Sequence, residues 1–181
     1  MNTGIAHITT QLNDIPAIST TLWYSGCKLS CSGCQNTSLE GFKDGMKLES
    51  VKQTLSDRRD LTDWLVFLGG NPLDSIQSLL EVSNYGKKLG YKQFLYTGYD
   101  FITFSRMFDE YTHAELLNNF DYIKCGEYDL DYSKENCGEI GKQYFFETIN
   151  QKVYKKTEGK WQPFYYFSPT NNQIFGAMEA I

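Results

Sequence analysis

Residues 20–34 read TTLWYSGCKLSCSGC and join a short apolar run to three closely spaced cysteines. The run from Thr20 to Ser25 is β-branched and aromatic, which predicts a buried strand, and Gly26 ends it. The cysteines follow in a loop rich in Gly and Ser. This stretch therefore predicts a cysteine loop just past the C-terminal end of a strand.

The cysteine spacing is CxxxCxxC, from Cys27 through Cys31 to Cys34. Three thiolates from one short loop can converge on a single inorganic centre. Iron–sulfur clusters prefer cysteine thiolates, and a cubane held by only three of them keeps one iron open for a small molecule. The spacing therefore indicates a catalytic metal centre rather than a purely structural one.

Two alternatives for these cysteines remain open. They could be structural thiols, or a zinc site completed by Cys125 or Cys137. Structural zinc normally has four protein ligands, and the two histidines, His7 and His113, show no paired ligand spacing.

Three later segments also have the character of strands, namely the apolar runs Trp64–Leu68 and Phe94–Thr97 and the short segment 121–124. Apolar residues recur at helical spacing in the segments that separate the four strands, namely 48–55, 73–82 and 101–120. Strands that alternate with helices predict an α/β chain with a parallel sheet and right-handed crossovers.

From about residue 143 the sequence predicts an antiparallel hairpin that turns at Glu158-Gly159. The aromatic stretch Trp161–Phe167 follows, and it either covers the sheet edge or docks a partner. We expect one domain over residues 1–181, with a core of about 18–154 and a C-terminal extension of about 155–181.

Charge and composition exclude some functions. The formal net charge is −5, and no run of Lys or Arg exceeds two residues, so direct nucleic-acid binding is not expected. The N-terminus lacks a basic region followed by an apolar stretch, and no window approaches the ~20 apolar residues of a membrane span. With five cysteines, three of them crowded together, these features predict a cytoplasmic protein without a membrane partner.

A CxxxCxxC loop after the first strand of an α/β chain resembles that of the radical S-adenosylmethionine (SAM) superfamily. The resemblance implies that Cys27, Cys31 and Cys34 ligate a 4Fe-4S cluster whose open iron binds SAM. One electron then cleaves the sulfonium of SAM to give a 5′-deoxyadenosyl radical. The implied fold is an incomplete (β/α) barrel with a C-terminal β-hairpin-like appendage.

Further segments resemble the anaerobic ribonucleoside-triphosphate reductase activating proteins, in the same order along the chain. They are Gly33-Cys34-Gln35-Asn36, Leu95-Tyr96-Thr97-Gly98-Tyr99, Asp121-Tyr122-Ile123-Lys124 with Gly126 and Tyr128, and Thr148-Ile149-Asn150-Gln151-Lys152. The resemblance implies an oxidoreductase that forms a glycyl radical on the large catalytic subunit of anaerobic ribonucleotide reductase. A flavodoxin-like protein would supply its electron.

The resemblance also implies the SAM contacts, whereas no catalytic residue is expected beyond the three cysteines. The expected contacts are Tyr24, Gln35, Asn36, Gly69, Gly70, Asn71, Pro72, Thr97 and Tyr99. Asn71 stands where the Gly-Gly-Glu-Pro element of the family has an acidic residue. A neutral amide attracts the ammonium of SAM less than a carboxylate does.

Two other functions are compatible with the sequence. A radical SAM enzyme that acts on a small molecule, such as a deazapurine synthase, predicts a closed polar substrate pocket. A non-catalytic zinc or Fe-S interaction module predicts a fourth protein ligand and no SAM turnover.

Overall fold

The computed structural model describes residues 1–178. Its eight strands form one sheet in which every strand lies beside its neighbour in the chain, in the order β1 to β8. The strands are β1 (Ile5–Gln11), β2 (Ser19–Tyr24), β3 (Trp64–Gly69), β4 (Lys92–Thr97), β5 (Tyr122–Cys125), β6 (Lys152–Thr157), β7 (Lys160–Ser168) and β8 (Gln173–Phe175). The helices are α1 (Leu48–Arg58), α2 (Ile76–Lys88), α3 (Phe101–Arg106), α4 (Glu110–Asn119) and α5 (Gly138–Gln143).

The centre of the sheet is parallel and its two flanks are antiparallel. Strands β2, β3, β4 and β5 pair in parallel. Strand β1 pairs antiparallel with β2, and β6 to β8 continue the other side antiparallel. The α/β class and the four predicted parallel strands are confirmed, with each strand displaced from its predicted bounds by at most two residues.

The predicted incomplete (β/α) barrel is not confirmed. The sheet is mixed and open, and its strands dominate the structure. The physical reason is that β/α units supply only the four central strands, whereas both flanks grow by antiparallel pairing. Strand β1 was not predicted, because 5–11 carries Thr, His and Gln between its few apolar residues.

Side chains of β3 alternate between two apolar cores on opposite faces of the sheet. Leu65 and Phe67 pack in the core that the helices cover, together with Val51 of α1 and Leu79 of α2. The other face of β3 contributes to a second core, which includes Ile15, Trp64, Val66, Leu68, Phe94, Tyr122, Tyr144, Phe146, Val153 and Tyr165. Burial on both faces explains why β3 is continuously apolar.

The C-terminal hairpin is part of the sheet. Strands β6 and β7 pair on either side of Glu158-Gly159, as predicted, and β6 pairs with β5. Tyr165 is buried in the second core, and Phe164 and Phe167 pack against it. The aromatic stretch thus covers the sheet.

None of the helices within residues 1–178 combines the length and apolar character needed to cross a bilayer.

Candidate functional site

The three clustered cysteines follow β2 and surround one cavity of about 350 Å³. All five cysteines of the chain are free thiols, and Cys27, Cys31 and Cys34 are each half-buried. Parallel strands end at the same edge of a sheet, and this edge is where open α/β sheets bind ligands. The cysteine loop and its cavity therefore lie at the C-terminal edge of the parallel strands, which is where the sequence predicts the loop.

Backbone hydrogen bonds fix the loop. The Cys27 N–H donates to the Glu40 carbonyl over 3.0 Å, and the Cys34 N–H donates to the Cys31 carbonyl over 3.2 Å. Gly33, between the last two cysteines, has φ +75°, a conformation that L side chains rarely adopt. The loop thus holds a defined turn that directs three thiols to one cavity.

The Gly69-Gly70 pair brings the end of β3 against the cysteine loop. The Gly70 N–H donates to the Tyr24 carbonyl over 2.7 Å, and the next N–H, of Asn71, donates to the Gly26 carbonyl over 2.8 Å. A Cβ at Gly70 would lie 2.5 Å from the Gly26 oxygen, and one at Gly69 would lie 2.4 Å from the Tyr24 oxygen. Both positions require glycine because the two backbones touch.

The expected SAM contacts divide into two groups. Five of them line the cavity together with the cysteines: Gln35, Asn36, Gly69, Gly70 and Thr97. The other four lie in or against the protein interior: Tyr24, Asn71, Pro72 and Tyr99. The structure thus brings the first group to the cavity lining, whereas the second group is not part of that lining.

A polar network joins several of these residues. The Thr97 hydroxyl donates to Asn71 Oδ1 over 3.1 Å, and Asn71 Nδ2 donates to Asp74 Oδ2 over 3.2 Å. The Tyr99 hydroxyl donates to Asp74 Oδ1 over 3.0 Å. Burial, and then the hydrogen bond and negative charge of Asp74, raise the pKa of Tyr99 to about 12. Tyr99 therefore stays protonated and acts as a hydrogen-bond donor.

One part of the cavity lining, here called the charged wall, is aromatic and charged. Lys124 of β5 places its ammonium 4.6 Å from the Tyr96 ring centre and 5.0 Å from that of Phe146. Asp14 and Glu147 also line the cavity. Burial lowers the pKa of Lys124 to about 7, and burial raises the pKa of Asp14. This wall can hold a polar or charged group.

Burial is also the main influence on the thiols. It raises the pKa of Cys27, and the negative charges of Asp74, Cys31 and Cys34 add to the rise. Burial likewise raises the pKa of Cys31, with a contribution from Glu127. Iron is ligated by thiolates, and a raised pKa makes the thiols harder to deprotonate. The positive charge of the bound metal has to offset this free-energy cost of deprotonation.

The three thiols line one cavity without forming a site for a single ion. Among residues 1–178, no three His, Cys, Asp or Glu side chains stand close enough together to share one metal ion. A cubane places each cysteine sulfur on a different iron, so its ligands surround a volume and need not touch one another. Three thiols that line one cavity are compatible with such a cluster.

The other two cysteines lie elsewhere. Cys125 is buried at the end of β5, and the Cys137 thiol contacts the Asp131 carbonyl at 3.7 Å. In the part of the chain that the structure describes, neither lines the cavity. A fourth thiolate ligand is therefore not supplied there.

Sequence reasoning missed Asp74 and the charged wall. Asp74 follows Asn71 by three residues, and an acidic residue one turn after a Gly-Gly-x-Pro element was a usable signal. Lys124 also gave a signal, as a charged residue within an otherwise apolar strand. Asp14 and Glu147 gave none, because they lie in loops that only the fold brings to the cavity.

The sequence profile of the 4Fe-4S single cluster domain family matches residues 16–145, which is most of the chain. The matched region contains the cysteine loop and the four parallel strands. The chain therefore belongs to the 4Fe-4S single cluster domain family and is an iron–sulfur protein. A search of curated proteins found no match to this chain.

Proposed function

We propose that the protein is a radical SAM activase that forms a glycyl radical on the large subunit of anaerobic ribonucleotide reductase. In this proposal Cys27, Cys31 and Cys34 hold the 4Fe-4S cluster. The observation that carries it is that these three thiols of one loop line a single cavity, to which the described part of the chain brings no fourth cysteine. A cluster with three protein ligands retains an iron for SAM.

The walls of the cavity support SAM binding beside the cluster. Gly69 and Gly70 keep backbone at the cavity surface, and the Asn36 amide donates to the Gly69 carbonyl over 3.0 Å. Thr97 and Gln35 add polar side chains to the same wall. These residues would orient SAM toward the open iron.

Held by Cys27, Cys31 and Cys34, a 4Fe-4S cluster would supply the one electron that reductive cleavage of SAM needs, and a flavodoxin-like donor would restore that electron. The role of this chain is to position the reactants and to exclude water. Leu29, Leu68 and Phe146 supply apolar surface at the cavity for the second task. The open sheet leaves room for a protein segment to reach it.

Anaerobic reconstitution with iron and sulfide tests this function. The expected result is a 4Fe-4S electron paramagnetic resonance (EPR) signal that changes on adding SAM, with 5′-deoxyadenosine as a product. Incubation with the reductase large subunit should then give a glycyl radical signal. Tightly bound zinc without a cluster would sink the enzyme proposal and favour the non-catalytic interaction module.

One observation favours a second candidate, a radical SAM enzyme that acts on a small molecule. The cavity carries Lys124, Asp14 and Glu147, which suit a polar substrate better than a peptide backbone. Under this alternative, 5′-deoxyadenosine would form as before, but no radical would appear on the reductase.

A further inference from the structure

Asp74 is a buried carboxylate to which the proposed function assigns no role. It lies in the short 3₁₀ helix Pro72–Ser75, and its side chain is fully shielded from solvent. An ionised carboxylate loses several kcal/mol of hydration when buried, so it needs strong partners. The identity of those partners indicates what Asp74 does.

The partners come from three separate segments. Oδ2 accepts from the Lys28 backbone N–H over 2.9 Å and from Asn71 Nδ2 over 3.2 Å. Oδ1 accepts from the Tyr99 hydroxyl over 3.0 Å and lies 3.8 Å from the Lys28 ammonium. One carboxylate thus joins the cysteine loop, the Gly-Gly-Asn-Pro turn and the segment after β4.

The same contacts account for the side chain of Asn71. Its Oδ1 accepts from the Thr97 hydroxyl and its Nδ2 donates to Asp74, so both ends of the amide have partners inside the protein. Asn71 is itself only 1% exposed. The negative charge of this turn therefore lies three residues later, and it faces the cysteine loop.

We infer that Asp74 is a positioning residue for the iron–sulfur cluster, which it serves by holding the backbone after Cys27 and by setting the local charge. The inference rests on the proposed assignment of the cluster to Cys27, Cys31 and Cys34. Net charge and hydrogen bonding near a cluster set its reduction potential. A fixed carboxylate beside the first ligand disfavours an added electron and so lowers that potential.

The two parts of this role can be separated by substitution. Asp74→Asn removes the charge and one acceptor oxygen, so the midpoint potential should rise and iron should leave faster. Asp74→Glu keeps the charge but displaces the carboxylate, so iron should leave faster with a smaller change in potential. Asp57→Asn is the matched control, because it removes the same charge from an exposed position on α1.

The measurements use the full-length reconstituted protein without SAM. An EPR-monitored redox titration gives the midpoint potential, and a ferrous chelator gives the rate of iron loss. A shift to more positive potential in Asp74→Asn, absent in Asp57→Asn, supports the inference. Equal potentials and equal rates of iron loss in wild type, Asp74→Asn and Asp57→Asn would overturn it.

If Asp74→Asn does not fold, two milder variants carry the test. Tyr99→Phe keeps the carboxylate and removes one donor, so iron loss should accelerate while the potential stays near that of wild type. Lys28→Gln removes the paired ammonium, so the potential should fall. An unchanged potential in Lys28→Gln together with unchanged iron loss in Tyr99→Phe would overturn the inference.

The outcome is independent of the proposed activase reaction. If the Asp74→Asn shift is found but no 5′-deoxyadenosine forms with SAM, the activase proposal fails and the role of Asp74 stands. If SAM is cleaved but Asp74→Asn matches wild type in potential and iron loss, the inferred role of Asp74 fails and the radical SAM proposal stands.

Discussion

The Lys124 ammonium lies 4.6 Å from the centre of the Tyr96 ring, and both residues line the same cavity as the three clustered cysteines. A second ring, that of Phe146, lies 5.0 Å from the same nitrogen. Aromatic faces attract a cation but replace little of its hydration. Burial consequently dominates and lowers the pKa of Lys124 to about 7.

Lys124 should make stability depend on pH above neutrality. In the unfolded chain its pKa is about 10.4, so between pH 7 and 10 the unfolded state holds a proton that the folded state lacks. The contribution of Lys124 to stability should therefore rise with pH across this window and level off below pH 7. Lys124→Met should remove this contribution and stabilise the protein at pH 7 by about 2–4 kcal/mol, at about 1.4 kcal/mol per pKa unit.

Urea unfolding of the reduced, metal-free protein at a series of pH values measures the slope. Lys152→Met is the control, because Lys152 is an exposed lysine on the neighbouring strand β6. The same pH dependence in wild type and Lys124→Met would contradict a lowered pKa of Lys124.

The three clustered cysteines should each be essential for the cluster. Replacing Cys27, Cys31 or Cys34 by Ala should abolish the 4Fe-4S absorption and EPR signal after reconstitution, because a cubane retained by two thiolates is not stably held. Cys125→Ser and Cys137→Ser should bind iron as wild type does, since neither thiol reaches the cavity. Loss of iron in either of these two variants would require another ligand set.

Gly70→Ala should disrupt the cysteine loop. The added Cβ would lie 2.5 Å from the Gly26 oxygen and 2.9 Å from that of Leu39, so backbone has to move. Overpacking of this kind typically costs about 1–3 kcal/mol, and iron content after reconstitution should fall with it. Gly41→Ala is the control, because no atom lies within 4 Å of its added Cβ. Equal stability and iron content in the two variants would show that the contact is not tight.

Asp100 should stabilise α3 as its N-cap. Its carboxylate accepts from the backbone N–H groups of Ile102 and Thr103, and the hydrogen bonds of Thr103 lower its pKa. Asp100→Ala should cost about 1 kcal/mol near pH 7, as other lost caps do. The difference in stability between wild type and Asp100→Ala should disappear as the pH falls through 4 and below. The lowered pKa means that the folded state stabilises the ionised carboxylate, and this stabilisation is lost when Asp100 is protonated.

Urea unfolding at pH 7 and pH 3 measures the effect. Asp57→Ala, on the exposed side of α1, should change stability much less at either pH. A loss in Asp100→Ala that persists undiminished at pH 3 would show that the cap does not depend on charge.

The parallel half of the fold could be predicted from sequence, because a strand such as Trp64–Gly69 is marked by its own continuous apolar run. Strand β1 and residues 144–146 are harder to predict from sequence. Their conformation depends on long-range contacts, with β2 in the first case and with the second core in the other. Tyr144, Phe145 and Phe146 were grouped with the hairpin, whereas they pack as an irregular segment on the sheet.

The candidate site divides in the same way. The cysteine loop could be predicted from the spacing of three cysteines within eight residues. The role of Asp74 depends on a hydrogen bond to a residue 46 positions away, and no local pattern encodes that pairing. The charged wall likewise forms only when the Asp14 loop folds onto β4 and the segment before Glu147 folds onto β5.

The strand order has a consequence for biosynthesis. Each strand pairs with the strand that precedes it in the chain. The sheet can therefore form strand by strand during synthesis, because no strand needs a partner that has not yet been synthesised. The cysteine loop and the Gly69-Gly70 turn that contacts it both belong to the first 70 residues. The frame of the iron–sulfur site can thus assemble while the C-terminal hairpin is still in the ribosome.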